Sequence, residues 1–383
     1  MKLALVGCGL LGASVVALAF GVLPVDEART IAERVWPVLV FVASVTVVAE
    51  LAARAGVFDV TASLLARLSR GRTIVLWLLV VLLAVLCTAF LSLDTTAVLL
   101  TPVVIAVARA NGLPALPFAF TTVWLANTAS LVLPVSNLTN LLAVHRLPSA
   151  DPAAFVVLMA GPAAIAIGVT VLLLWVRYAT RLRGRFTPAP LPRLVDPVLF
   201  WISAGTVTAM MPMLVSGLEP WIPATVAALV LLAVYGWRAR GALHPSLVPW
   251  SMLLFASGLF LAAGVADAAG LLRLVTAWLG SGDDLASLWG VAGAGAVAAN
   301  VTNNLPAYLA LEPAAADSPA RLAALLVGVN AGPLITPWAS LATLLWHARL
   351  RAEGVEVPWR HFVLWGLLAA PLVVALAVLP LAR

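Results

Sequence analysis

The stretch "LVLPVSNLTNLLAV", residues 131–144, places a group of polar side chains in the middle of a long apolar segment. Around Pro134 it carries hydroxyl and amide groups on Ser136, Asn137, Thr139 and Asn140. An apolar environment supplies no water to such groups, so each of them needs a partner within the protein. A proline beside a polar cluster therefore predicts a helix that is broken at this point.

The composition is typical of a polytopic membrane protein. Of the 383 residues, 63% are hydrophobic and 10% are charged, and the mean hydropathy is +1.09. A soluble domain carries about 25% charged residues. The apolar runs stay unbroken over about 20 residues, the length of a spanning helix, whereas the strands of a membrane barrel would alternate. We therefore predict an all-α membrane protein.

The charge of the chain lies mainly in arginine-rich loops. The formal charge is +6 and the pI is about 10.3. The positive-inside rule explains this excess of positive charge, so binding to nucleic acid is not needed to account for it. We expect a protein of the cytoplasmic membrane whose arginine-rich loops and N-terminus lie in the cytoplasm. The lipid bilayer is the expected partner. The two cysteines, Cys8 and Cys87, give no disulfide or metal spacing, so neither a metal nor a cofactor is expected.

Nine segments are predicted to span the membrane. They are 3–23, 35–53, 115–144, 153–176, 197–216, 219–237, 249–266, 322–346 and 360–381. The segments 115–144 and 322–346 are predicted to be broken helices. The segment 57–70 is too short and too amphipathic to span, so we expect it to lie along the membrane interface.

Two further segments are predicted to be re-entrant helical hairpins. The segment 73–109 has 37 residues, and a straight helix of that length would measure about 55 Å, nearly twice the apolar thickness of a bilayer. Its centre carries the polar residues Asp94, Thr95 and Thr96, which we take as the tip of the first hairpin. The segment 285–311 is the second, with its tip at Thr302–Asn304.

The two halves of the chain resemble each other. The stretch "NTASLVLPVSNLTNLL" (127–142) aligns with "NAGPLITPWASLATLL" (330–345) at an offset of 203 residues (330 − 127). Trp36 aligns with Trp250 at an offset of 214 (250 − 36), and "SLDTTAVL" (92–99) aligns with "TNNLPAYL" at an offset of 210. The order of the blocks is the same in both halves, which indicates an internal repeat.

The predicted topology makes this repeat inverted, because an odd number of crossings separates its halves. We predict an N-terminal repeat at 1–176, a basic cytoplasmic linker at 177–196 and a C-terminal repeat at 197–383. The C-terminal repeat opens with an additional helix, 197–216. Inverted repeats with broken helices in corresponding positions are the sequence signature of secondary transporters, and their sites lie where the broken elements meet.

The candidate substrate- and ion-binding residues share one property: they lie at the hairpin tips or at the helix breaks. They are Asp94, Thr95, Thr96, Asn127, Ser136, Asn137, Thr139, Asn140, Thr302, Asn303, Asn304, Asn330, Thr336, Ser340 and Thr343. No catalytic residue is expected among them, since the motifs of an intramembrane enzyme are missing from the sequence. A transporter also fits the repeated polar breaks better than a channel or an assembly protein does.

Asp94 is the one carboxylate within these polar elements, and ionisable groups inside a membrane are functional candidates by default. We predict that it carries the coupling proton. The alternative is a structural role, with Asp94 capping the helix that follows it. The asparagines could likewise serve to satisfy the broken backbone. Glu50 is predicted to pair with Arg54, four residues further along its helix.

Four blocks of the sequence resemble the arsenite efflux permease (ArsB-type) family of the ion transporter superfamily. They are "FLSLDTTAVLLTPVVIA", "NTASLVLPVSNLTNLL", "ANVTNNLPAYL" and "NAGPLITPWASLATLLW". The resemblance covers the chain from about Trp36 to Trp365. It implies a scaffold and a transport domain with two hairpins, and export of arsenite or antimonite as neutral trihydroxides in exchange for protons. It also implies, in some members, a cytoplasmic arsenite-stimulated ATPase partner, and it allows a homodimer.

Two features depart from the family pattern. The first hairpin reads Leu93-Asp94-Thr95 where the family tends to have Asn-Asp-Gly, and the helix 197–216 has no counterpart in the first half. Threonine after the aspartate is closer to the Ser-Asn-Thr hairpins of the divalent-anion/sodium symporters. A sodium- or proton-coupled transporter of small organic or inorganic anions is therefore the alternative. The polar elements contain no Lys or Arg, which favours a neutral or cationic solute.

Overall fold

The computed structural model describes residues 2–148, 151–214, 216, 218–270 and 279–382, and within these ranges it consists of helices joined by turns and loops. The helices are α1 Lys2–Ala19, α2 Val25–Arg54, α3 Val57–Leu68, α4 Thr73–Leu91, α5 Leu93–Ala110, α6 Ala115–Thr128, α7 Leu138–Val144, α8 Pro152–Leu182, α9 Pro197–Met213, α10 Trp221–Arg238, α11 Trp250–Ala268, α12 Leu285–Val301, α13 Asn304–Leu311, α14 Pro319–Ala331, α15 Leu341–Ala352 and α16 Trp359–Val378.

Seven helices of the described residues are long and apolar enough to cross a membrane, and the chain is a multi-pass membrane protein. These seven are α2, α4, α5, α8, α10, α11 and the C-terminal segment Trp359–Leu381. Four shorter apolar helices, α1, α9, α12 and α14, add to them. The short amphipathic helix α3 forms where it was predicted, with Phe58, Ala62 and Ala66 on its buried face.

The helices pack as two bodies. Helices α1, α2, α9, α10 and α11 form the first, which we call the scaffold body; there α1 packs along α11, and α2 packs along α10. Helices α4–α8 and α12–α16 form the second, the hairpin body, in which α4 packs on α6 and α12 packs on α14. These contacts match in pairs, as an internal repeat would require. That the repeat is inverted stays a prediction.

Small residues allow close helix approach in the hairpin body. Gly328 of α14 faces the backbone of α12, and a Cβ atom built on Gly328 would lie 2.1 Å from the carbonyl oxygen of Ala292. Only glycine fits at such a distance. Membrane helices lack a hydrophobic force between them and associate through close packing of this kind.

The first hairpin turns earlier than the sequence suggested. Ser92 has a φ of 95° and a ψ of 160°, and Thr88 Oγ1 donates to Thr96 Oγ1 at 2.9 Å. Eight residues of straight helix would separate those side chains by about 12 Å, so the chain folds back at Ser92. The tip predicted at Asp94–Thr96 is instead the first turn of α5. The second tip lies as predicted, between α12 and α13.

Both broken helices are present. Between α6 and α7 the chain runs through two short 3₁₀ turns, and Asn137 is extended with a φ of −152°. Between α14 and α15 the residues 332–340 are non-helical. Two other expectations need correction. Helix α8 continues through Leu182, so the linker begins at Arg183. The predicted Glu50–Arg54 pair is wrong, because Arg54 donates to the carbonyl oxygen of Ala242 at 2.7 Å.

The linker after α8 joins the two bodies. The amide of Thr73 donates to the carbonyl oxygen of Gly184 at 3.2 Å, which fastens the start of the linker to the hairpin body. At its other end Asp196 caps α9, accepting from the amide of Val198 at 2.9 Å, and pairs with Arg238 of α10 at 3.0 Å. The linker is therefore anchored in both bodies.

Candidate solute-binding site

A cavity of about 220 Å³ lies where the hairpin tips, the helix breaks and the scaffold helix α11 meet. Six of the predicted residues line it: Asp94, Asn137, Thr302, Asn303, Asn304 and Ser340. Cavities for drug-sized ligands measure about 300–1,000 Å³, so this one suits a smaller solute. Elements of both sequence halves thus meet around one space.

Asp94 presents its carboxylate to this cavity from the first turn of α5. Its Oδ1 atom is buried and has no hydrogen-bond partner among the described residues. The cap of α5 is Ser92, whose Oγ accepts from the amide of Thr95 at 3.4 Å. Asp94 is therefore not the helix cap, and its side chain stays available for another role. The neighbouring Thr96 bonds back to Thr88 and stabilises the fold-back.

The first helix break is stabilised by an asparagine from the other half of the chain. Asn330 of α14 accepts at Oδ1 from Asn137 Nδ2 at 2.8 Å and from Thr139 Oγ1 at 2.9 Å. It donates from Nδ2 to Asn140 Oδ1 at 2.8 Å. Asn140 in turn donates to the carbonyl oxygens of Ser130 and Leu133. These are backbone groups that the break leaves free of the helix.

The second helix break lacks the equivalent network. The residues that align with Asn330, Asn137 and Asn140 are Asn127, Ser340 and Thr343. Each has a buried side-chain oxygen without a hydrogen-bond partner in the described part of the chain: Asn127 Oδ1, Ser340 Oγ and Thr343 Oγ1. The site is therefore asymmetric, because the side chains at the second break have oxygen atoms that can still form hydrogen bonds.

The second hairpin tip is tied to the second break by backbone groups. Asn303 Nδ2 donates to the carbonyl oxygen of Trp338 at 2.9 Å, and the amide of Asn304 donates to that of Ala339 at 2.9 Å. Thr336 Oγ1 donates to the carbonyl oxygen of Asn300 at 2.8 Å. Tip and break thus form one unit on the cavity wall.

The other predicted residues lie behind the lining. Ser136 Oγ donates to the carbonyl oxygen of Ala89 at 3.0 Å and so joins the first break to α4. The remaining ones are Thr95, Thr96, Asn127, Thr139, Asn140, Asn330, Thr336 and Thr343. Sequence reasoning missed the lining residues Met252, Phe255 and Trp338. The polar run "ANVTNN" could have drawn attention to Asn300, but no local pattern points to the apolar lining.

Four helices begin at the cavity. Their first residues are Leu93, Leu138, Asn304 and Leu341. Helix N-termini carry partial positive charge. Among the described residues that line the cavity, Asp94 is the only charged side chain, and none is a Lys, Arg or His. The cavity therefore combines amide and hydroxyl groups with a single carboxyl group.

A buried charge cluster lies in a separate cavity of about 280 Å³, and no sequence pattern pointed to it. Glu312, which is 4% exposed, accepts hydrogen bonds from Arg34 of the scaffold body and from Arg146 of the hairpin body, at 3.2 Å in each case. Tyr308 OH donates to the same carboxylate at 2.9 Å. The cluster links the two bodies across their interface.

This arrangement of paired hairpins and broken helices around one polar cavity defines a membrane transporter. Residues 2–345 match the family model described as CitMHS, citrate transporter. The chain belongs to this family. It is 30% identical to the arsenical pump membrane protein of Yersinia enterocolitica, with 92% of this chain and 87% of the relative covered.

Further comparisons agree in family and in fold. An arsenical pump membrane protein of Escherichia coli is 30% identical, over 92% of this chain and 88% of the relative. Among solved structures, the YdaH transporter of Alcanivorax borkumensis superposes with a TM-score of 0.60 at 17% identity, covering 99% of this chain and 96% of that one. The YdaH likeness supports the fold alone.

Proposed function

We propose that the chain exports arsenite and antimonite, as neutral trihydroxides, in exchange for protons. The observation that carries the proposal is the cavity at Asp94. Its described lining offers amide and hydroxyl groups and one carboxyl group, and it contains no cationic side chain to compensate a multiply charged anion. The relatives named arsenical pump membrane proteins supply the class of solute.

The lining matches the hydrogen-bonding needs of a small trihydroxide. Such a solute both donates and accepts at each hydroxyl group. Asn137 and Asn303 can contribute donors and acceptors, and Ser340 Oγ has no partner among the described residues. Met252 and Phe255 of α11 form an apolar wall. A neutral solute also avoids the desolvation that would accompany a charged one.

Proton exchange is assigned to Asp94. Burial disfavours the ionised form of a carboxyl group, so Asp94 can take up a proton when the solute leaves and release it when solute binds. Export against a gradient needs such a coupled step, because the solute itself carries no charge on which the membrane potential could act. The proton enters as the solute leaves.

A second candidate function is the transport of small anions. Two observations favour it: four helix N-termini begin at the cavity, and the matching family model is described as a citrate transporter. Helix N-termini can bind a carboxylate without a cationic side chain. In this reading sodium or protons would compensate the charge of the anion.

Transport into everted membrane vesicles separates the two candidates. Vesicles containing the parent protein should accumulate arsenite under an inwardly acid pH gradient, and citrate or other dicarboxylates should neither be taken up nor compete. Asp94→Asn should still bind arsenite but lose the response to the pH gradient. Asp26→Asn, which removes an exposed carboxylate at the start of α2, is the matched control and should transport like the parent.

Sodium-driven accumulation of citrate by the parent would overturn the proposal in favour of anion transport. If the Asp94→Asn protein accumulates arsenite under the pH gradient at the parent rate, Asp94 does not carry the coupling proton.

The setting of the protein is part of the proposal. The arginines in the last turns of α2, α8, α10 and α15 favour a cytoplasmic face for the loops that follow and for the N-terminus, in the cytoplasmic membrane. A cytoplasmic arsenite-stimulated ATPase and a homodimer stay predictions from the resemblance. Cysteine accessibility at Arg72→Cys in right-side-out and everted vesicles tests the orientation.

A further inference from the structure

A second, much smaller chamber of about 30 Å³ lies beside Asp94. Its polar wall is formed by Ser92, Asp94 and Asn137 of the hairpin body and by Thr46 of α2, in the scaffold body. The rest of its wall is apolar. Asp94 and Asn137 line both this chamber and the solute cavity. They therefore stand between the two spaces.

The chamber has the size and the polar groups that a bound water molecule needs. A water requires at least about 10–15 Å³ and two to four polar partners. Asp94 Oδ1 is buried without a partner among the described residues. Asn137 uses one hydrogen of Nδ2 for Asn330 and keeps the other. Thr46 donates to the carbonyl oxygen of Val42 at 2.7 Å, so its oxygen can still accept.

We propose that this chamber holds the water that carries the proton to and from Asp94, and that Thr46 positions it. The inference rests on the proton exchange proposed above. When Asp94 is protonated, its O–H bond breaks as the proton passes to the water, and the carboxylate keeps the electron pair. The hydronium ion so formed gives an equivalent proton to the bulk water of the compartment towards which the chamber then opens, and the neutral water is restored. The proton thus leaves on the scaffold side of Asp94, while solute occupies the other side.

The location of Thr46 makes proton transfer at Asp94 depend on the conformation of the protein. Thr46 belongs to the scaffold body, whereas Ser92, Asp94 and Asn137 belong to the hairpin body. Alternating access in this class moves one bundle against the other. Proton exchange at Asp94 is therefore fast only while the first hairpin faces Thr46. Among the described residues lining either space, Asp94 is the only titratable group.

Infrared spectroscopy of the purified protein in lipid nanodiscs tests the route without any solute. The C=O stretching band of protonated Asp94 is identified by its loss in Asp94→Asn. In Thr46→Val, which keeps the side-chain shape but removes the hydroxyl group, this band should move to higher frequency. Its hydrogen–deuterium exchange should become roughly tenfold slower. Thr46→Ser should restore both.

Two further variants keep the test sharp. Val45→Ile adds a methylene group to the chamber wall, should displace the water and should slow the exchange as Thr46→Val does. Thr30→Val is the control, because Thr30 lies on the same helix and also bonds to the carbonyl oxygen four residues before it, but it lines neither space. In everted vesicles Thr46→Val should lower the maximal rate of pH-driven arsenite transport roughly tenfold, while the KM for arsenite stays unchanged.

The proton route would be overturned if both Thr46→Val and Val45→Ile showed the same hydrogen–deuterium exchange rate and the same C=O band position as the parent. If the parent does not transport arsenite, the proposed function fails, but the infrared result still decides whether the chamber serves Asp94. The two failures are therefore distinguishable.

Discussion

Asn330 donates from Nδ2 to Oδ1 of Asn140 at 2.8 Å, across 190 residues of sequence. This hydrogen bond joins helix α14 of the second half to the break in the first half. Asn140 is thereby oriented so that its own amide reaches the carbonyl groups of Ser130 and Leu133. The broken backbone of one half is thus stabilised by a side chain of the other.

Asn330→Ala should therefore destabilise the protein. The substitution leaves polar groups of Asn137, Thr139 and Asn140 without their partner in a buried site, and such a loss costs about 1–3 kcal/mol. Thermal unfolding in detergent should show a lower midpoint. Thr208→Ala, at an exposed threonine that bonds only within its own helix, should unfold like the parent. An unchanged midpoint for Asn330→Ala would contradict the role given to this network.

The sequence revealed the breaks but not their partners. Proline and polar residues within apolar segments mark both broken helices, since those residue types interrupt helices for local reasons. The bond between Asn330 and Asn140 depends on packing between distant segments, which spacing does not encode. Ser92 was missed because Asp94 and the threonines after it are typical turn residues. The actual turn needs a conformation that no local preference of serine predicts.

Glu312→Gln should be the most destabilising substitution in the buried charge cluster. It would remove the carboxylate that both Arg34 and Arg146 bind, and because the Arg146 side chain is 44% exposed, the cost should lie below the roughly 3–5 kcal/mol of breaking a fully buried pair. Arg34→Gln should cost less, because Arg146 still neutralises the Glu312 carboxylate. Thermal unfolding of the three proteins gives the order. Equal midpoints for Glu312→Gln and the parent would show that the cluster does not stabilise the fold.

Gly328→Leu should prevent α12 and α14 from packing closely. A side chain at this position would meet the backbone of Ala292, where even a Cβ atom lies 2.1 Å from the carbonyl oxygen. Because that contact is with backbone, a rotamer change cannot relieve it. Gly290→Leu on α12 is the matched control, since nothing lies within 4 Å of its Cβ position. Yield and monodispersity after detergent extraction should fall for Gly328→Leu alone.

Asp196 should make the stability of the protein depend on acid pH. The hydrogen bonds from Arg238, together with those from backbone amides, lower the pKa of Asp196 below its usual value. A lowered pKa in the folded state means that the stabilisation is present above about pH 4 and is lost as the pH falls through the folded-state pKa. Asp196→Asn should unfold at a lower temperature than the parent at pH 7. The difference should shrink towards pH 3, and a constant difference would contradict this linkage.

Ser92→Gly should leave the fold intact or stabilise it, whereas Ser92→Val should disrupt the first hairpin. With a φ of 95° and a ψ of 160°, Ser92 occupies a region that is nearly exclusive to glycine and costs about 1–3 kcal/mol for other residues. Glycine removes that strain and gives up the hydrogen bond from the amide of Thr95, which is long at 3.4 Å. Valine keeps the strain, adds a β-branched side chain and loses the same bond.

Thermal unfolding should therefore rank Ser92→Gly at or above the parent and Ser92→Val well below it. The control is Ser257→Gly, inside α11, where glycine should destabilise a helix by roughly 0.5–1 kcal/mol. Because Asp94 follows the turn by two residues, a correctly folded Ser92→Gly protein should also retain pH-driven transport in everted vesicles. A Ser92→Gly protein that is stable but does not respond to the pH gradient would mean that the serine hydroxyl group takes part in proton transfer, in addition to forming the turn.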